Sequence, residues 1–144
     1  YNARFGDPEA MNVLPLLKTD FASICQSIIV QELNRIKVEF EKKATVCKYA
    51  VPKGYPENPV KNEKVIVEAP KKAKVYYASV EQKKDGLYMT GSRAIAFLGV
   101  GNNLEEAEKI AEEAVSCVKG KVFHRKDIGT KALIEKRVKH VENF

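Results

Sequence analysis

The chain has 144 residues and a mass of 16.1 kDa, 44% of it hydrophobic and 31% charged, which is the size of one ordinary domain or of a piece cut from a larger protein. No run approaches the roughly 18–20 apolar residues of a membrane span. The opening Tyr1-Asn2-Ala3-Arg4 lacks an initiator Met and a basic-then-apolar signal pattern, and Cys25, Cys47 and Cys117, widely spaced and without a Cys-x-x-Cys pair, support neither a disulfide framework nor a zinc ribbon. Free thiols in a reducing cytoplasm are expected instead. The net charge of +6 comes from interspersed Lys and Glu, the pattern of a solvated surface. Lys71, Lys72 and Lys74 form the densest basic cluster but have no aromatic interleaving for base stacking, so neither a nucleic-acid nor a membrane partner is expected.

In chain order, residues 1–5 read as an extended segment running into a helix start at Gly6-Asp7-Pro8-Glu9. Asp7 suits the N-cap, Pro8 the first helical position and Glu9 the positive end of the helix dipole. Pro15 should break or kink that helix. A second helix is predicted from Thr19 or Asp20, with Phe21, Ile24, Cys25, Ile28 and Ile29 on one face. After Asn34 the period changes to two, first in Ile36-Val38-Phe40 and then over residues 45–51. The composition shift across residues 34–43 marks an expected boundary between domains 1–34 and 35–144.

A turn-rich stretch over residues 52–59 precedes strands predicted at 64–68, 75–81, 87–90 and 93–99, with Asp85-Gly86 as a hairpin turn; together they make a mostly antiparallel sheet. The clearest helix spans residues 104–118. Leu104, Ala107, Ala111, Ala114, Val115 and Val118 form its apolar stripe, Asn103 and Glu106 have capping-box spacing, and Gly120 is the expected stop. It should cover one face of the sheet. Val122-Phe123-His124 reads as extended and Thr130 as the cap of a last helix. The fold class is α+β.

Asn2 and Arg4 lie two apart in the extended segment and would share one face. An amide oxygen and a guanidinium just before a helix N-terminus suit a metal-bound phosphate. Pairing of Arg4 with Asp7 or Glu9 as plain structure is the competing reading. Arg93 follows the turn Thr90-Gly91-Ser92, so its head can point toward a cleft or take a surface salt bridge. His124 and His140 have no partner at metal spacing and no nucleophile placed beside them by motif, and His124 reads as exposed or as a domain contact. Cys47, alternating with Tyr49 and Val51, reads as a small core residue of a strand.

The run Tyr1-Asn2-Ala3-Arg4-Phe5-Gly6-Asp7-Pro8-Glu9, followed by Leu14-Pro15-Leu16-Leu17, closely resembles the last ATP-grasp motif of the phosphoribosylamine–glycine ligase family, also called glycinamide ribonucleotide synthetases. Gly54-Tyr55-Pro56, Ser92-Arg93 before Ala94 to Gly101, Leu104-Glu105-Glu106-Ala107 and His124-Arg125-Lys126-Asp127-Ile128-Gly129 resemble that family's C-terminal domain, in order. The resemblance covers essentially the whole chain. It implies the end of an ATP-grasp domain over 1–34 and the C-terminal domain over 35–144.

Members of the family join glycine to 5-phosphoribosylamine in purine synthesis: ATP phosphorylates the glycine carboxylate, and the amine attacks the acyl phosphate. By this resemblance Asn2 is a ligand of Mg2+ or Mn2+, an oxygen donor suited to a hard cation. Arg4 binds the transferred phosphoryl or ADP oxygens, Asp7 joins it as a catalytic residue, and Asp7 and Glu9 face substrate; Arg93, from its place after the turn, is the further substrate-binding candidate. The family's Glu ligand would stand just before Tyr1. A nucleotide pocket, a glycine-rich phosphate loop and a domain for phosphoribosylamine are missing from this sequence, so the chain alone is expected to be inactive and to need the N-terminal and ATP-grasp domains as partners. Without them the face of Phe21, Ile24 and Ile28 is expected to be exposed and to drive self-association. The alternative is a non-catalytic capping or binding module of another ATP-grasp assembly.

Overall fold

Tertiary contacts divide the chain between Lys43 and Ala44 into two units. In this computed structural model residues 3–68 and 72–142 are described.

In the first unit, helix α1 (Glu9–Val13) gives way to a 3-10 turn, Leu14–Leu16, that contains Pro15. Proline has no N–H to continue the ladder, so the α-helix ends after five residues. Helix α2 (Phe21–Ile29) starts where its cap predicts: the Asp20 carboxylate accepts from the Ser23 hydroxyl and from the Ser23 backbone N–H, both at 2.7 Å. The same two bonds hold the Asp20 carboxyl below its ordinary value. The strand expected at Ile36-Val38-Phe40 does not form. A single bridge joins Leu17 to Phe40, flanked by bonds from Lys18 N to Glu39 O (2.9 Å) and from Glu41 N to Leu16 O (2.8 Å). Among the described residues this unit offers no sheet for the alternating segment to join. Its helices bury no residue fully; Phe21 is 47% exposed and Ile28 55%.

The second unit is built from strands β1 (Ala44–Pro52), β2 (Glu63–Val67), β3 (Lys74–Tyr77), β4 (Val80–Lys83), β5 (Gly86–Met89), β6 (Ile95–Gly101), β7 (Val118–Gly120) and β8 (Val122–Phe123). They make two four-stranded sheets, β3-β6-β1-β8 and β4-β5-β2-β7, with antiparallel pairing throughout. The fold is α+β, but with two sheets where one was expected. The reason lies at residues 75–81, which the alternation presents as one strand. The chain changes sheets at Ala78-Ser79: Ala78 N donates to Ala94 O and Ser79 N to Arg93 O, while Ser79 O accepts from Thr90 N. The β4–β5 hairpin pairs Lys83 with Gly86, so its turn is Lys84-Asp85, one residue earlier than expected.

Helix α3 (Leu104–Ser116) packs on β6 and β1. Asn103 Oδ1 accepts from Glu106 N at 2.9 Å, and the Glu106 carboxylate reaches back to Asn102 N at 2.7 Å, one residue beyond the usual capping box. Ala107, Ala111, Ala114 and Val115 are its buried stripe, and Leu104 is 45% exposed. The helix comes unusually close to the sheet because Gly99 in β6 has no side chain; a Cβ there would lie 1.9 Å from the Ala107 carbonyl oxygen. The helix stops before Val118, which opens β7, and Gly120 pairs with Val65 in that strand rather than ending the helix.

The main core joins Ala50, Ile95 and Phe97 of one sheet to Val65 and Met89 of the other and to Ala114 and Val115 of α3. The larger of these side chains, Val65, Met89, Ile95, Phe97 and Val115, contribute about 1.5–3 kcal/mol each when fully buried. Helix α4 (Lys131–Glu142) follows Thr130, whose hydroxyl accepts from Leu133 N at 3.4 Å as the sequence predicts. Among the described residues no helix is long and apolar enough to cross a membrane.

Candidate functional site

Residues 3 and 4 bend instead of forming the expected strand, and no strand pairs with residues 3–5 among the described residues. Pro8, not Asp7, occupies the N-cap of α1, and no side chain caps it there. Glu9 reaches back instead, its carboxylate accepting from Gly6 N at 2.6 Å. A Cβ on Gly6 would lie 2.5 Å from Glu9 Oε2 and 3.3 Å from Arg4 Nη1. Carboxylate and guanidinium thus close on one bare edge of backbone, with Asp7 next in sequence. Arg4, exposed to solvent, presents a planar fork of donors that matches phosphoryl or carboxylate oxygens.

Asn2 lies outside the described residues. Asp7 and Glu9 supply hard oxygen donors near Arg4, but among the described residues no group of three or more His, Cys, Asp or Glu could hold a metal ion. The described side chains alone do not make a divalent-cation site.

Arg93 belongs to the second unit and sits where the chain crosses between sheets. Its guanidinium carbon lies 5.5 Å from the centroid of the Tyr49 ring, within cation–π range, so β1 supplies an aromatic rest for the charge.

Sequence reasoning missed one cluster altogether. Lys48 points from β1 to the same side as Val46, toward α3, and is 2% exposed. Its ammonium donates to Glu108 Oε1 (2.6 Å), Glu112 Oε2 (2.6 Å) and the Lys126 carbonyl (3.0 Å), so each of its three N–H groups has an acceptor. The other Glu112 oxygen lies 3.0 Å from His124 Nε2. Of the two readings of His124, exposed or a domain contact, the exposed one does not hold; its side chain is 13% exposed. Burial tends to raise the Glu112 carboxyl, but the bonds from Lys48 and His124, with their charges, outweigh it and leave the group below its usual range. The only signal available in sequence was a lysine inside an apolar strand with two glutamates four apart on a nearby helix. This arrangement ties β1, α3 and the segment before α4 together.

Residues 45–131 match the family described as phosphoribosylglycinamide synthetase, C domain. Over its whole length the chain is 59% identical to phosphoribosylamine–glycine ligase of Methanocaldococcus jannaschii and 53% identical to that of Methanosarcina acetivorans, covering 33% of each. The chain thus spans about one third of the length of these curated relatives. Among solved structures, the phosphoribosylamine–glycine ligase of Thermotoga maritima superposes with a TM-score of 0.65 at 26% identity, over 88% of this chain and 32% of that one. The core that unites both sheets and α3 lies inside the matched residues, and the chain belongs to the phosphoribosylamine–glycine ligase family.

Proposed function

We propose that this chain is the C-domain part, with the last ATP-grasp motif, of an ATP-dependent carbon–nitrogen ligase that joins glycine to 5-phosphoribosylamine and yields glycinamide ribonucleotide. The observation that carries this reading is the 59% identity over the whole chain to a protein of that name. In the reaction a glycine carboxylate oxygen takes the terminal phosphoryl group of ATP, and the amine then attacks the acyl carbon and expels phosphate. The task for Arg4 is to hold phosphoryl oxygens as charge moves between them. Asp7 and Glu9 are assigned to the glycine and amine side, and Arg93 to substrate contact.

Asn2 is assigned as a ligand of Mg2+ or Mn2+, which would supply charge neutralisation on the ATP phosphates. The boundary near residues 34–43 separates the ATP-grasp end from the C-terminal domain, and the apolar face of α2 packs against the rest of the ligase. Three free cysteines suit a cytoplasmic enzyme.

Release of ADP with ATP, glycine and phosphoribosylamine tests the reading. The chain alone should release none, and the same chain joined to the remaining two thirds of a relative should release ADP only when both co-substrates are present. ADP release independent of glycine in the joined protein would overturn it.

A further inference from the structure

From His124 to Glu142 the sequence holds six Lys and Arg against three Asp and Glu, so half of the chain's net charge of +6 is gathered in nineteen residues. These residues fold into a groove of about 600 Å3, lined by Arg125 and Asp127 from the segment before α4 and by Leu133, Lys136, Arg137 and His140 from α4, with Lys139 adding a further cation. The α4 positions recur at i, i+3, i+4 and i+7, which places them on one helix face. Among the described residues Asp127 is the only carboxylate of the lining, and Arg125 engages both its oxygens, at 3.0 Å through Nε and 2.6 Å through Nη2. That pair is close to neutral, and Lys136 and Arg137 add two further cations to the described lining. The segment before α4 is held in place: the Lys126 carbonyl accepts from buried Lys48, and the Asp127 carbonyl accepts from the Thr130 hydroxyl at 2.8 Å.

We propose that this groove binds a small phosphate-bearing anion of the di- or triphosphate class, with Lys136 and Arg137 as its binding cations and Arg125 oriented by Asp127. The volume falls in the range of small-molecule sites, roughly 300–1,000 Å3. Among the described residues no Phe, Tyr or Trp lines the groove, so these offer no stacking surface of the kind a nucleic-acid strand uses. The Arg137 guanidinium offers a planar fork for bidentate contact with phosphoryl oxygens, and Lys136 a point charge one residue away. The proposal is independent of the ligase reading, because none of these residues is assigned to that chemistry.

The test is an amide-shift titration of the 144-residue chain with inorganic pyrophosphate at fixed ionic strength, alongside orthophosphate and a single-stranded oligonucleotide. Saturable shifts at residues 125–127 and 133–140 are expected, with pyrophosphate at least tenfold tighter than orthophosphate. The double variant K136Q/R137Q should weaken pyrophosphate at least tenfold with unchanged circular dichroism. K84Q/K109Q, which removes the same charge from exposed positions elsewhere, should leave binding unaltered. Equal losses in both double variants, shifts scattered over the surface lysines, or saturable binding of the oligonucleotide alone would overturn the proposal.

Discussion

The Lys48 ammonium donates to Glu112 Oε2 at 2.6 Å from a side chain that is 1% exposed, while the Glu112 side chain is 29% exposed. Removing one partner of a fully buried ion pair costs about 3–5 kcal/mol. Because Glu108 and Glu112 are partly solvated, Lys48→Ala should cost rather less, about 2–4 kcal/mol. Lys48→Arg should also destabilise, since a planar five-donor fork does not match three converging acceptors. Urea midpoints of the two variants against the parent measure both effects; a midpoint unchanged in Lys48→Ala would show that the cluster contributes nothing.

Acid should loosen the same cluster. The Glu112 carboxyl is held below its unfolded value, so the unfolded chain binds the proton more readily and stability rises with pH across that interval. The contribution is present above the ordinary carboxylate range and is lost as pH falls through the depressed folded value. Stability measured from pH 7 down to pH 3 should therefore decline less steeply in Glu112→Gln than in the parent, whose remaining acid dependence includes Asp20, Asp85 and Asp127. Parallel curves would remove Glu112 from the account.

Gly99→Ala should be among the most damaging single-methyl additions in the second unit. The new carbon would meet the Ala107 carbonyl at 1.9 Å and the Ala111 nitrogen at 2.9 Å, both backbone atoms that cannot rotate away. Displacing α3 from β6 should cost about 1–3 kcal/mol or more, read from thermal or urea unfolding, with loss of near-ultraviolet signal preceding loss of helix.

In the complete ligase, Arg4→Gln should lower kcat by about a hundredfold or more, as loss of an oxyanion-directed donor typically does, with a smaller change in KM. Glu9→Gln keeps a hydrogen-bond acceptor for Gly6 N but removes the charge beside Arg4, so its loss should be milder. Steady-state kinetics with glycine varied separates the two; equal rates in Arg4→Gln and the parent would remove Arg4 from the chemistry.

The isolated chain should associate through α2, where Ile28 is 55% and Ile29 80% exposed. Ile28→Glu with Ile29→Glu should shift sedimentation toward monomer in the isolated chain and weaken the complete ligase. Identical sedimentation of variant and parent would exclude this face.

Local signals were legible wherever neighbours in sequence are also neighbours in space. The Asp20 cap, the Pro15 turn, the Asn103–Glu106 bond and the Thr130 cap each span a few residues and appear as expected. The misreadings share another cause. Alternation in Ile36-Val38-Phe40 says nothing about whether a partner strand exists, and in residues 75–81 nothing about two partners in different sheets. Asp7 has the right chemistry for a cap, yet the backbone assigns that position to Pro8. Lys48 was the least legible, because β1 is buried on both faces and a pattern of two can describe only one of them. Of the candidate site, Arg4 and Glu9 were nameable from sequence; their convergence on Gly6 needed the third dimension.

Arg93 sits at the strand crossing rather than on a free loop. Its carbonyl accepts from Ser79 at the point where the chain leaves one sheet for the other, and the next residue, Ala94, bonds both Ala50 and Ala78. Three separate stretches of backbone thus staple a single node. The backbone beneath this guanidinium is therefore fixed when the two sheets assemble, so no further backbone ordering would be charged to any group the side chain comes to hold.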